Sequence, residues 1–191
     1  MLSNPISDNA CQKSFGTSEI LKEKPKHKFQ ERFEVTYEQY VRDTCLEKIN
    51  LAKELVRSLG RKKAFEIIER ASEDFGAELT RKRATAKPIN SLRDFAMMEK
   101  ESFKSPFSRC TQTITVVEDS PKQFSFHVTE CLWAKTFRDL DAGDIGYAME
   151  CRTDFTNARA RDHRLGLKRT KTLMQGDSHC DFTYYWAEQD P

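Results

Sequence analysis

The hydrophobic pattern changes its period once along this chain, near Pro106, and that change constrains the fold most. Before it, apolar residues recur at three- and four-residue steps, which is typical of amphipathic helices. After it, residues 111–118 are rich in β-branched side chains, and residues 123–129 alternate apolar with polar ones, as strands do. Helices followed by strands predict the α+β class rather than a parallel α/β sheet.

Three helices are predicted before the change. The first begins after Thr36 and ends at Gly60, a second follows directly, and Ser91 caps a third that runs to Phe103. The first helix has one apolar face, made of Leu46, Ile49, Ala52, Val56 and Leu59. The second has a stripe made of Ala64, Ile68, Ala71, Phe75 and Leu79. The short link between these two helices predicts an antiparallel helical hairpin.

The second half predicts two hairpins. Asp119–Lys122 is turn chemistry and joins the first two strands. Two helices and two more strands follow, at residues 132–140, 143–154, 165–175 and 179–186. We expect the last two strands to form a hairpin that turns at Gly176–Ser178. The predicted fold is therefore an antiparallel sheet built from two hairpins, with helices packed on one face and an N-terminal helical hairpin before it.

Residues 1–34 are polar and predict a flexible extension to a single domain at residues 35–191. The net charge is +2, and the basic runs at residues 81–83 and 168–169 lack interleaved aromatic residues, so we predict no nucleic-acid partner. No leader and no apolar run of roughly 20 residues is visible, which favours a cytoplasmic protein with no membrane partner. The amphipathic helical hairpin is compatible with a homodimer.

Six cysteines are the main chemical signal. They form no CxxC pair, and in the cytoplasm we expect them to be reduced. We assign Cys11, Cys45 and Cys110 to packing, because cysteine often behaves as a small hydrophobe. The other three lie at junctions between predicted elements, in each case beside an acidic or basic residue: Glu130-Cys131, Glu150-Cys151 and His179-Cys180.

The last strand predicts a pocket. Period-two alternation puts Cys180 on the same face as Phe182, Tyr184 and Trp186. If that face is the core face, Cys180 points toward the helices that carry Cys131 and Cys151. Asp154 is on the same helical face as Cys151, three residues on. We therefore expect a pocket for a small molecule, lined by thiols and carboxylates. Its substrate-binding residues would be Phe182, Tyr184, Trp186 and His179.

These residues resemble a known family. Cys131 after a strand, Cys151-x-x-Asp154 in the next helix, and the closing run Thr172, Gly176, Cys180, Asp181, Phe182 are similar to the L-2-amino-thiazoline-4-carboxylic acid hydrolase-like family. The C-terminal hairpin is also similar to that of small-molecule-binding domains of the vinyl-reductase type.

The resemblance implies hydrolytic opening of a cyclic amidine ring at a C–N bond. As a hypothesis, Cys131 or Cys151 is the nucleophile, and Asp154 or Glu130 transfers the proton. No cofactor is predicted. One alternative is a zinc enzyme that uses Cys131, Cys151 and Cys180 with His127 or His179 as ligands. Another is a non-catalytic sensor or carrier with the same pocket.

Overall fold

The structure is a computed structural model, and it describes residues 34–187. The predicted extension over residues 1–34 therefore lies almost wholly outside the described residues. The elements are α1 (Tyr37–Leu59), α2 (Arg61–Ala86), α3 (Leu92–Phe103), α4 (Pro106–Thr111), β1 (Gln112–Asp119), β2 (Gln123–Cys131), α5 (Leu132–Asp139), α6 (Gly143–Gly146), a π-helical segment (Tyr147–Cys151), α7 (Thr153–Arg161), β3 (Leu165–Lys168), a 3₁₀ turn (Leu173–Gln175) and β4 (Cys180–Trp186).

The predicted α+β class is confirmed. The four strands form one antiparallel sheet in the order β1-β2-β4-β3, so two hairpins meet along the central pair β2 and β4. In that pair Phe124 lies opposite Tyr184, and Val128 lies opposite Cys180. These inward side chains are buried against helices on one face of the sheet.

The first helix begins and ends where the sequence predicts. Thr36 Oγ1 accepts a hydrogen bond from the Gln39 N–H at 3.1 Å, which caps α1. Gly60 ends α1 with a φ of 77°, a left-handed value that glycine adopts without steric cost. α1 buries Val41, Cys45, Ile49 and Ala52, so Ile49 and Ala52 of the predicted face are buried, whereas Leu59 is 40% exposed.

The predicted stripe of α2 is wrong in its second half. Ala71 is exposed, and Phe75 keeps 70% of its surface exposed, whereas Ala77 is buried. The buried face turns because α2 contacts α1 and, farther along, α7. At that second contact Gly76 meets Asn157 closely, since a Cβ at Gly76 would lie 2.8 Å from Asn157 Oδ1.

Two hydrophobic clusters form the interior. We call the first the helical cluster, and its buried residues are Val41, Cys45, Ile49, Ala52, Ile68, Ala134, Phe137, Ala142, Ile145, Ala148 and Met174. We call the second the sheet cluster, and its buried residues are Ile89, Leu92, Phe95, Ala96, Phe124, Phe126, Val128, Ala158, Leu165, Cys180 and Tyr184. Cys131 packs against both, so it lies where they join.

The helix predicted at residues 143–154 is longer and irregular. It continues as α7 to Arg161, and Tyr147–Cys151 is π-helical. The Arg152 N–H reaches the Tyr147 carbonyl at 2.9 Å, five residues back, so this turn holds one residue more than an α-helical turn. A hydrophobic pattern does not reveal such an insertion, because it depends on how the flanking turns pack.

The second hairpin is confirmed as a pair of strands, but its predicted tight turn at Gly176–Ser178 is wrong. β3 ends at Lys168, and residues 169–179, which we call the connecting segment, lead to β4. Aspartate side chains bind its backbone N–H groups, which keeps the segment out of the sheet. The short helix α4, capped by Ser105, was not predicted. Within residues 34–187 no helix has the length and apolarity needed to cross a bilayer.

Candidate functional site

A buried ion pair joins the connecting segment to α7. Arg169 Nη1 donates to Asp154 Oδ2 at 2.5 Å, and Arg169 Nη2 donates to the Cys151 carbonyl at 2.9 Å. The Arg169 side chain is only 2% exposed, whereas that of Asp154 is 32% exposed. The guanidinium is therefore withdrawn from solvent, while the aspartate side chain keeps part of its surface exposed.

Aromatic rings fix the position of Arg169. Its guanidinium carbon lies 5.1 Å from the ring centroid of Phe155 and 5.1 Å from that of Phe182. Ring faces attract a cation, and more strongly where water is excluded. Phe182 in turn stacks on Phe126 at 4.8 Å. The sheet cluster thus supports the charged pair directly.

The closing sequence motif holds the connecting segment. Asp181 accepts the N–H groups of Thr170 at 2.9 Å and Lys171 at 2.6 Å. Asp177 accepts the Thr172 N–H at 2.7 Å. The Cys180 sulfur accepts the Leu173 N–H at 3.3 Å. These contacts set the path of the backbone that carries Arg169, so the motif has a structural role whatever its chemistry.

The thiols of Cys131 and Cys151 are protonated near neutral pH. Burial raises the pKa of Cys151 to about 12, and the Asp154 charge adds to this effect. Burial also raises the pKa of Cys131. The Thr172 hydroxyl lies 3.8 Å from the Cys151 sulfur and lowers the pKa of Cys151, but by less than burial raises it. Because the thiolate is the nucleophilic form, this arrangement does not activate either sulfur.

Two carboxyl groups have raised pKa values. Burial raises the pKa of Asp154 to about 6, although Arg169 lowers it. Burial raises the pKa of Glu99 on α3 to about 7, and Asp154 contributes to that rise. Both carboxyls help raise the pKa of the buried Tyr184, for which burial is the larger cause. Asp154, Glu99 and Tyr184 therefore form one electrostatic neighbourhood.

Glu99 occupies an apolar face. It lies one turn after Phe95 and one turn before Phe103, and these rings contact Tyr184 at 4.6 Å and Phe126 at 4.9 Å. Glu99 has no hydrogen bond or ion pair with any described residue. The sequence analysis missed Glu99, although its place in the α3 stripe was a signal, because a carboxyl group facing a core needs an explanation.

The face of α7 that begins at Asp154 is polar. Asp154, Asn157 and Arg161 are three and four residues apart, so they share one side of the helix, and we call them the polar stripe. Asn157 Oδ1 and Arg161 Nε are buried and have no hydrogen-bond partner in the described structure. Arg161 Nη2 donates to the Lys87 carbonyl at 2.6 Å. Asn157 and Arg161 were also missed by the sequence analysis.

The predicted cysteines lie along the same interior. Cys180 lies on the inner face of β4, and Cys131 ends β2. Cys180 raises the pKa of Cys131, and Cys131 raises that of Cys151, so the three sulfurs are electrostatic neighbours. Among residues 34–187, however, no three His, Cys, Asp or Glu side chains are arranged to hold a metal ion. The ligand set of the zinc alternative is not assembled there.

Three other predicted residues make their contacts outside the charged pair. Glu130 is exposed and bonds to the Thr113 hydroxyl. His179 packs on His127 at 4.3 Å, on the outer side of the sheet. Trp186 lies under Arg164 at the far end of β4, about 20 Å along the strand from Cys180. Of the predicted substrate-binding set, Phe182 and Tyr184 border the charged pair.

An open groove of about 620 Å³ is lined in part by the connecting segment. Arg138, Tyr147 and Met174 are among its lining residues, and none of the predicted site residues is. We therefore treat it as separate from the charged pair.

These features define a helix-backed antiparallel sheet with a buried arginine–aspartate pair beside three thiols. Residues 37–184 match the family of L-2-amino-thiazoline-4-carboxylic acid hydrolase, and the chain belongs to this family. The resemblance noted from the cysteine and aspartate motifs is thereby confirmed.

Two solved structures are similar in fold. One is a trafficking protein particle complex subunit 3 from Naegleria fowleri covalently bound to palmitic acid, at 13% identity and a TM-score of 0.48, covering 78% of this chain and 96% of that one. The other is the phenol-responsive sensory domain of the transcription activator PoxR with phenol, at 14% identity and a TM-score of 0.45, covering 81% and 78%. No curated protein is a significant match to the chain.

Proposed function

We propose that this protein is a hydrolase that opens a small cyclic amidine ring of the 2-amino-thiazoline-4-carboxylate type, with Asp154 as the acid and base. Membership of the hydrolase family supports the reaction class. The observation that carries the proposal is the partly exposed Asp154, whose pKa of about 6 lies close to neutral pH. A general acid–base group is most effective when its pKa lies near the working pH.

The reaction needs one water and one proton shuttle. The substrate reacts as the amidinium, with its ring nitrogen already protonated, and ionised Asp154 takes a proton from a water molecule while the water oxygen bonds to the amidine carbon. The ring C–N bond then breaks, and Asp154 returns the proton to the departing nitrogen. The oxygen becomes a carbonyl and loses its second proton to solvent. The ring is opened to a carbamoyl product, and the carboxylate is restored.

Arg169 positions the carboxylate. Its bond to Asp154 Oδ2 leaves Oδ1 available to a water molecule or substrate. Its second bond, to the Cys151 carbonyl, fixes the guanidinium against α7. A group held in one orientation by a neighbour loses less entropy when it reacts. Arg169 is thus a positioning residue in this proposal.

Water replaces the cysteine nucleophile that the sequence suggested. The raised pKa values of Cys131 and Cys151 leave little thiolate near neutral pH. In this proposal the three thiols line the site. The two routes make opposite predictions for conservative serine substitutions.

The test measures turnover of 2-amino-thiazoline-4-carboxylate. We expect Asp154→Asn to lower kcat by about 100-fold or more, with the fold intact by circular dichroism. The matched control is Asp162→Asn, which removes an aspartate at the end of α7 that pairs with Arg164. Cys131→Ser, Cys151→Ser and Cys180→Ser should each keep most activity. Loss of activity in a folded serine variant would instead establish the covalent route.

A second candidate is a non-catalytic small-molecule sensor or carrier. The protonated thiols and the already paired Arg169 favour it, because such a site binds a ligand without supplying a strong nucleophile. This function predicts tight binding of the ring with no product formed. It also predicts that Asp154→Asn changes affinity alone. A product peak that depends on Asp154 rules it out.

A further inference from the structure

Residues of α2, of α6 and of the π-helical segment line the open groove. Two ion pairs join α2 to the elements opposite. Arg61 Nη1 lies 2.6 Å from Asp144 Oδ2, and Arg152 Nε, directly after the π-helical segment, lies 3.6 Å from Glu69 Oε2. Arg61 and Glu69 are separated by about 12 Å along α2, so the walls are held together at two points. The groove of about 620 Å³ is large enough for a small molecule.

Large apolar side chains line the groove between these two ion pairs. Phe65 lies one helical turn from Arg61 and one from Glu69, so it is on the same side of α2 as both. Tyr147 lines the groove from the π-helical segment, and Met174 lines it from the connecting segment. The Phe65 and Tyr147 side chains are only half-buried. An apolar ligand group that packs against them removes their surface from water.

Arg138, in the last turn of α5, brings a cation to the groove. Its Nη1 donates to the Leu173 carbonyl at 3.3 Å, which fixes the guanidinium beside the 3₁₀ turn. A Cβ atom on Gly143 would lie 3.4 Å from the Arg138 Cγ, and one on Gly176 would lie 4.0 Å from Nη2. The arginine therefore passes two positions that carry no side chain. Nη2 is left open to a ligand oxygen on the side of Gly176.

The charged residues of the groove differ in whether they already have partners. Glu69 and Asp144 each lie in an ion pair with an arginine. Arg138 and Asp141 have no ion pair within the part of the chain that the structure describes. The Asp141 N–H donates to the Arg138 carbonyl at 3.0 Å, so these two residues belong to one tight turn. The groove thus offers one free cation and one free carboxylate from the same turn, beside an apolar wall.

We propose that the open groove binds a small zwitterion, namely an α-amino acid with an apolar side chain. The ligand carboxylate binds Arg138, its ammonium group binds Asp141, and its side chain packs against Phe65 and Tyr147. A simple amine would leave Arg138 unpaired, and a simple carboxylate would meet the three carboxylates that line the groove. The inference does not depend on the proposed reaction, because Asp154 is not a lining residue of the groove.

The test is an NMR titration of the full ¹⁵N-labelled chain with L-phenylalanine. We expect saturable shifts of the Gly143 and Gly176 backbone amide signals, because both glycines line the groove beside Arg138. Two analogues each lack one charge: 3-phenylpropanoate has no ammonium group, and 2-phenylethylamine has no carboxylate. Each should bind about tenfold more weakly than phenylalanine, since each loses one charge-assisted contact. Equal binding of either analogue would overturn the proposal.

Two variants assign the charged contacts. Arg138→Gln and Asp141→Asn should each weaken phenylalanine binding about tenfold. Asp141 has a φ of 50°, a value that asparagine also adopts readily, so Asp141→Asn keeps the turn. The matched control is Asp139→Asn, which removes an exposed carboxylate that pairs with Lys135 outside the groove and should bind as the wild type does. Thermal unfolding checks the fold of each variant, and if Arg138→Gln is destabilised, Asp141→Asn decides the outcome.

The position of the shifted signals separates this groove from the charged pair. If phenylalanine shifts the Arg169 Nε–H signal and leaves those of Gly143 and Gly176 unchanged, it binds at the charged pair and the inference is wrong. The inference also fails if no signal shifts up to the solubility limit of phenylalanine. Asp154→Asn should lose turnover and bind phenylalanine with wild-type affinity. Turnover without phenylalanine binding would overturn this inference alone, and binding in the groove without turnover would overturn the proposed reaction alone.

Discussion

The helical cluster and the sheet cluster differ in where their charges lie. Beside the helical cluster, ion pairs such as Lys135–Asp139 join side chains that are 65% and 54% exposed. Beside the sheet cluster, Arg169 is 2% exposed, and Glu99 lies in an apolar face. Exposed pairs change stability little, whereas withdrawn charges cost free energy unless they are well paired. The sheet cluster is therefore the region whose charges need a specific partner if they are not to lower stability.

The largest expected effect is in the helical cluster. Phe137 is fully buried, and we expect Phe137→Ala to lower the free energy of unfolding by about 4 kcal/mol, because it removes apolar contacts and leaves a cavity. The control is Phe75→Ala at a 70% exposed position, with a change of about 0.5 kcal/mol or less. Urea denaturation measures both. A large loss at Phe75 would mean that the predicted α2 stripe is covered in solution.

The next largest effect is expected when the ion pair between Asp154 and Arg169 is broken. Asp154→Ala leaves the Arg169 guanidinium buried without its partner and should cost about 3 kcal/mol of unfolding free energy. Adding Arg169→Met to this variant should restore a large part of that loss, since the unpaired charge is then removed. Chemical denaturation of the two single variants and the double variant forms a complete cycle. Simple additivity would show that the pair contributes nothing beyond its separate contacts.

Glu99 makes the stability of the sheet cluster depend on pH. Its folded pKa of about 7 lies above the ordinary pKa of 4.5 of a glutamate side chain. The folded state therefore holds the proton more tightly, and this stabilisation is complete below pH 4.5 and lost as the pH rises to about 7. Between those values Glu99→Gln should reduce the fall in unfolding free energy by about 3 kcal/mol. The exposed Glu101→Gln should leave the fall unchanged.

The smallest expected effect is the loss of one helix cap, at the start of α1 or of α3. Thr36 caps α1, and Ser91 caps α3 by accepting the Asp94 N–H at 3.1 Å. We expect Thr36→Ala and Ser91→Ala each to cost about 1 kcal/mol, measured by thermal unfolding.

Local chemistry made the helix ends and the first hairpin predictable. Thr36, Gly60, Ser91 and the turn at Asp119–Lys122 each act on their immediate neighbours, and the structure confirms them. The role of Arg169 is different, because it depends on an ion pair with Asp154, which lies fifteen residues away on another element. Sequence spacing does not show which charges meet across elements. The tight turn at Gly176–Ser178 failed for the same reason, since Asp181 binds backbone ten and eleven residues away.

The π-helical segment at Tyr147–Cys151 has a consequence for how such a site arises. One additional residue in a helical turn rotates everything after it by about 100° about the helix axis. Asp154, Asn157 and Arg161 follow that residue, and α6 precedes it. A single insertion in an ordinary helix would thus move a polar row of side chains from the outside of the domain to its interior without moving the helix itself.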